Sequence, residues 1–220
     1  MDARQLLAKL TSSPGATGLA GGLVGGGLVA ALVSKTGPKT LGTAAQVGGL
    51  AALGGLAYQA WRRYQQNQQP VAEAGARPPP AFETVRERFV PPADNVNEKE
   101  RLSRNVLQAM VTAAKADGSI DDDEWQRIDQ RVVELGLDAN ERGLLVNWMR
   151  EPADPARIAG LARNIEEAAE LYLASLFAID VDHWTEQAYI ERLRMQLDLD
   201  PQLAAELEKT AASGMAPAAA

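Results

Sequence analysis

Cysteine is absent from the 220 residues and histidine occurs once, at His183. The first absence excludes a disulfide framework, zinc–thiolate and iron–sulfur sites and a cysteine nucleophile. The second excludes any mechanism needing two imidazoles, including the H-E-x-x-H type of zinc site. Positive charge is scarce in the C-terminal half: residues 97–220 hold 13 Lys/Arg against 24 Asp/Glu, whereas residues 1–96 hold nine against five. The net charge of −7 therefore belongs to one half, and a pI near 4.9 argues against nucleic acid as a partner, because phosphates require a clustered Lys/Arg face. No P-loop or G-x-S-x-G is present, and the Gly-rich stretch has neither a preceding strand nor a downstream acidic ribose partner. Chemistry by carboxylates alone would need a cleft with basic or aromatic substrate contacts, and nothing marks one. The expectation is a protein that is not an enzyme.

Glycine and proline are abundant but unevenly placed. Of 19 glycines, 13 lie between Gly15 and Gly55, and of 12 prolines, six lie between Pro70 and Pro92. Residues 15–33 and 41–60 carry no charge, and each stretch is about long enough to cross a bilayer core of roughly 30 Å as a helix. The polar turn between them carries Lys35 and Lys39. The pattern predicts a helical hairpin. Gly18, Gly22 and Gly26 stand four apart, as do Ala44, Gly48 and Ala52, and such a strip of small residues lets helix backbones approach closely in lipid. The strip could join the two spans or two copies of the chain. Arg4, Lys9, Arg62 and Arg63 on one side against Lys35 and Lys39 on the other place both ends in the cytoplasm. Tyr58, Trp61 and Tyr64 beside the arginine pair read as an interfacial belt. The alternatives are a soluble Gly-rich segment and a cleaved signal peptide; uninterrupted avoidance of charge speaks against the first and a second apolar stretch against the second.

Residues 65–96, with QQNQQP and ARPPPAFETVRERFVPPAD, lack sustained periodicity and read as a disordered Pro/Gln-rich spacer. Phe82, Val85 and Phe89 would form at most a short amphipathic turn, either transient or docked on a neighbour. From residue 97 apolar residues recur with helical period: Leu102, Val106, Met110 and Val111; Trp125, Ile128, Val132 and Leu135; Leu144, Leu145 and Trp148. Further stripes are Ile165, Ala169, Tyr172, Leu176 and Phe177, then Tyr189, Ile190, Leu193 and Leu197, then Leu203 and Leu207. Turn signals at Asp117-Gly118, Gly136, Asp154-Pro155 and Asp200-Pro201 separate them, and no run reads as a strand. The fold class is all-α: six or seven helices over residues 97–212, preceded by the hairpin (1–64) and the linker (65–96) and followed by a disordered tail (213–220).

The stretch from Lys115 to Glu124 carries the most chemistry. Against a calcium-binding EF-hand loop, Asp117, Gly118, Ile120 and Glu124 occupy positions 5, 6, 8 and 12, but Ala113 and Lys115 fall at positions 1 and 3 and cannot ligate. A self-sufficient EF-hand is excluded. A second stretch with Asp180, Asp182 and Glu186 again leaves a long helix through acids and enters another, the corresponding alanines, Ala116 and Ala178, lying 62 residues apart. Were the two half-units to pack with pseudo-twofold symmetry, Asp117, Glu124, Asp180, Asp182 and Glu186 could converge on a divalent cation such as calcium, magnesium or manganese. The competing reading needs no metal: Gly118 ends a helix in the left-handed conformation, Ser119 caps the next, and the acids that follow interact with its dipole. His183 reads as a polar residue at a helix start, and Trp125, Trp148 and Trp184 as core anchors.

The A-D-G-x-I-x-x-x-E signature at residues 116–124, weakly repeated sixty residues on, resembles the tellurite-resistance TerB-like family. With the Gly-rich and Pro-rich segments in front, the whole resembles YebE-type bacterial inner-membrane proteins of unknown function. The second stretch lacks the Asp-Gly pair. The resemblance implies a seven-helix pseudo-duplicated domain, an acidic face that binds divalent cations, and a membrane-associated role in stress response through protein partners. The expected function is accordingly that of a membrane-anchored non-enzymatic adaptor at the bacterial inner membrane. It would contact lipid through residues 15–60, self-associate through the glycine strip and present its acidic domain to the cytoplasm. The rival is a cation-sensing or metal-buffering domain built on the Asp/Glu cluster.

Overall fold

The computed structural model describes residues 49–68, 88–89, 91–92, 94–116, 118, 139–179 and 184–215. Among these the fold is all-α, with seven helices: α1 (Gly49–Gln68), α2 (Val96–Ala113), α3 (Ala139–Arg150), α4 (Pro155–Ala159), α5 (Ile165–Ala178), α6 (Trp184–Gln196) and α7 (Pro201–Met215). Their starts follow the expected turn chemistry. Asp154 and Asp200 stand before Pro155 and Pro201, and their carboxylates accept from the Ala156 and Gln202 amides at 3.0 and 2.7 Å. Proline at the first helical position forfeits only an N–H that had no partner in the helix.

Helix α5 is the centre. From Glu166 to Ala178 every residue is buried, and α2, α7 and α1 pack around it, with α6 and α4 completing the surround. The expected stripes supply the core: Leu102 and Val106 of α2, Leu145 and Trp148 of α3, Tyr172 and Phe177 of α5, Leu193 of α6 and Leu207 of α7 are all buried. One stripe member and one expected core anchor depart from expectation. Ile165 is 41% exposed and Trp184 78% exposed, because each is the first residue of its helix and precedes the face that turns inward. Trp184 is not a core anchor.

Helix α1 does not stop at the expected boundary between residues 64 and 65; the glutamine-rich residues that follow continue it to Gln68. Its first twelve residues coincide with the second uncharged stretch, yet they lie against α7, α5 and α2. Gly54, Ala57 and Ala60 fall three apart on the buried face, where small side chains allow close approach between helix backbones. The aromatics read as an interfacial belt line the same packing: Tyr58 is buried and meets the Phe89 ring edge-on at 5.8 Å, and Trp61 lies 6.1 Å from it. Phe89 has no exposed surface, so this residue of the proline-rich stretch is part of the core. No helix among the described residues is long and apolar enough to cross a membrane. Residues 15–33, Gly18, Gly22, Gly26, Ala44 and Gly48 lie outside the described residues.

Helix α2 ends differently from the left-handed glycine expected of it. The chain tightens through bonds from Lys115 N to Thr112 O, Ala116 N to Ala113 O and Gly118 N to Lys115 O, and φ of Gly118 is outside the left-handed region. A left-handed cap occurs instead after α6, where Asp198 has φ 51° and the Leu199 and Asp198 amides donate to Arg194 O and Met195 O. This pair of bonds is a Schellman motif, and buried Leu199 provides its apolar contact.

Candidate functional site

Of the five carboxylates proposed to hold a cation, Asp117, Glu124, Asp180 and Asp182 lie outside the described residues, as do His183 and Trp125. Glu186 is buried in the first turn of α6. Among the described residues no group of three or more His, Asp or Glu side chains could hold a metal ion.

Lys115, two residues before Asp117, has a defined role. Its ammonium is buried and donates to the backbone oxygens of Trp148, Met149 and Glu151, the first two at 2.6 and 3.1 Å. These carbonyls belong to the end of α3, where the last turn has no intrahelical donors and carries the negative end of the dipole. Lys115 thus ties the end of α2 to the end of α3. Burial, and then the nearby Arg157 charge, pulls its pKa down to about 8.

The densest polar arrangement lies at the other end of α2. Helices α2 and α5 start alike. Asn95 caps α2 by accepting from the Glu98 amide at 3.2 Å, and Asn164 caps α5 by accepting from the Glu167 amide at 2.8 Å. In each the third helical residue is a glutamate, the spacing of a capping box, and Glu167 reaches back to the Arg163 amide at 3.1 Å. Arg101 joins the two. Its guanidinium binds the Glu167 carboxylate in parallel at 2.5 and 3.1 Å and also pairs with Glu98. Arg163 adds a longer contact to Glu98 at 3.4 Å, and Arg88 pairs with Glu166 at 3.1 Å. The Arg101 hydrogen bond holds Glu98 below the ordinary carboxylate range. Burial opposes the Arg101 charge, but its bonds to Glu98 and Glu167 outweigh burial and hold it protonated.

One turn along α5, Glu170 is fully buried and neither carboxylate oxygen has a hydrogen-bond partner. Burial, reinforced by Glu167 and only partly offset by Arg101, raises its pKa well above the ordinary value. On another side of α5, Tyr172 donates to Glu208 of α7 at 2.8 Å. The arrangement locks helices together around a buried carboxyl group.

Periodicity did not find this seam, because helical spacing marks apolar residues only. A signal was present in the α5 sequence, IEEAAELYLASLFA. Three glutamates precede eight residues without charge, in a helix too apolar to lie on a surface. The repeated N-x-x-E at residues 95–98 and 164–167 was a second.

The model of a family described as "Protein of unknown function (DUF533)" matches residues 18–211. A Yersinia enterocolitica protein described as an uncharacterized protein in the ampR 5' region is 38% identical over 94 residues, which are 43% of this chain and 67% of the relative. No solved structure matches the chain.

Proposed function

The chain belongs to the DUF533 family, and on that premise we propose that it is a membrane-anchored, non-enzymatic adaptor whose helical domain binds protein partners at the bacterial inner membrane. The observation that carries this reading is the absence of charge over residues 15–33, which the family model covers from residue 18 and which precede a helix that is part of the domain core. In this reading the lipid-contacting part lies N-terminal to residue 49, which the packing of α1 against α5 and α7 supports. The domain then follows its anchor directly and faces the cytoplasm. The finer likeness to TerB-like domains and YebE-type proteins, and with it a stress-response role, belongs to this proposal and rests on the signature at residues 116–124. Self-association through Gly18, Gly22 and Gly26 is part of it too.

Fractionation tests the anchor. The full chain is expected in the membrane fraction, resistant to high salt and released by detergent, and a variant lacking residues 1–48 is expected to be soluble. Full-length protein that stays in solution without detergent and leaves none in the membrane overturns the reading. The rival function, a cation sensor using Asp117, Glu124, Asp180, Asp182 and Glu186, is supported by the same signature. Calorimetry of the detergent-solubilised chain with calcium, magnesium and manganese, compared with Asp117→Asn plus Glu124→Gln, decides it; no binding tighter than millimolar removes the rival.

A further inference from the structure

Glu170 is a titratable group for which the adaptor reading has no use, and a costly one to keep. A carboxylate with no surface and no hydrogen bond loses its hydration with nothing in return, whereas the neutral acid loses far less. Ion pairs and hydrogen bonds hold most of the charged groups around α5, although the buried Nε of Arg104 on α2 has no hydrogen-bond partner among the described residues. On its own helix Glu166 and Glu167, one turn back, are held by Arg88 and Arg101. From α2, Arg101 is shared between Glu98 and Glu167, and Arg104 pairs with Glu100. On the α1 and α7 side Arg63 pairs with Glu206, and Glu208 accepts from Tyr172. By α4 and α6 the pairs are Arg157 with Glu151 and Arg194 with Glu191. None of these pairings gives Glu170 a counter-ion.

We propose that Glu170 is a proton-operated latch on the α2–α5 seam: with its proton on, the seam closes around it and Arg101 clamps the two helix starts, and with its proton off, the seam opens. Loss of the proton would set a third negative charge within one turn of Glu166 and Glu167 and draw Arg101 away from its present partners. The direction of the pKa agrees, since burial and Glu167 both raise it. The native state therefore binds one more proton than the unfolded chain at any pH between the ordinary glutamate value and the raised one. The stabilisation is complete below the ordinary value and is lost as pH rises through the raised one. The inference is independent of where the domain is anchored.

The test uses the full chain in mild detergent, with thermal unfolding followed from pH 5.5 to pH 9 in wild type, Glu170→Gln and Glu170→Met, and hydrogen exchange, corrected for intrinsic pH effects, read peptide by peptide. Wild-type Tm is expected to fall by about 3 °C or more across this range, the size produced by a modest loss of stability in a chain of this length. Exchange should quicken in residues 96–113 and 165–178 before it does in 201–215, and both variants should lose that pH-dependent part. A Tm slope in the variants equal to that of wild type overturns the latch, as does exchange that quickens evenly over all helices. Two variants are used because the amide keeps the shape of the acid while methionine fills the space without polar atoms, so misfolding of one leaves the other to decide.

Discussion

At the seam between α1 and α7 the cation of the ion pair sits at the rim, and at the seam between α2 and α5 both cation and carboxylate sit inside. Arg63, which meets Glu206 at 3.3 Å and donates to Thr210, has a side chain 46% exposed. Arg101 is 19% exposed and its partner Glu167 only 6%. On α1 itself Ala57, Ala60 and Tyr58 are buried, and Phe89 packs against Tyr58 and Trp61. The difference teaches what each seam is suited to. Apolar packing under a wet rim holds α1 with little dependence on pH or salt. A buried ion cluster with an unpaired acid holds α5 to α2 conditionally, since every charge removed from water must keep its partner.

The largest effect is expected on the apolar side. Phe89→Ala empties a fully buried ring site and should cost about 3–5 kcal/mol in denaturant unfolding, with loss of exchange protection concentrated in α1. A cost below about 1 kcal/mol would mean that the proline-rich stretch contributes nothing to holding α1. Next comes Arg101→Ala, which strands the buried Glu167 carboxylate and should cost about 3 kcal/mol. Glu167→Gln introduced beside it should recover part of that loss, and a double variant no better than the single would show that the buried charge is not the cause. The smallest effect is at Arg63, where Arg63→Ala should cost no more than about 1 kcal/mol because the guanidinium is half exposed and Glu206 keeps Lys209 as a partner. A cost equal to that of Arg101→Ala would erase the contrast between the seams.

Much of the core was legible residue by residue. Leu102, Val106, Met110, Tyr172, Phe177, Leu193 and Leu207 were picked out by spacing and are buried, and the Asp-Pro pairs begin helices where they were expected to. Burial from all sides was not legible. A 3.6-residue pattern assumes one inward face, whereas α5 has no outward face along most of its length, so Glu166 and Glu167 are interior groups with ion-pair partners and Glu170 is an interior group without one. Charge avoidance is ambiguous in a related way. Residues 49–60 are uncharged, which suits lipid and a close helix contact equally, and Tyr58 and Trp61 find an aromatic neighbour in Phe89. The acidic site drawn from Asp117 to Glu186 is represented among the described residues by Glu186 alone. The resolved contribution of that motif is the Lys115 cap on α3, which a search for ligands passes over because lysine cannot ligate.

The positions of Gln68 and Phe89 decide what the proline-rich segment controls. Gln68 is held near Gln202 through a 3.4 Å side-chain bond, and Phe89 is embedded beside Tyr58 and Trp61, so both ends of residues 69–87 are fixed to one body. Because its described flanks sit on one body, the length of the segment does not set a distance between that body and α1. Doubling its length would cost only about 0.6 kcal/mol in closure entropy, and the domain would move no farther from residue 49. Any reach the domain has must be measured from the start of α1, like a lantern hung by its ring, whose height does not change with the length of cord looped around its side.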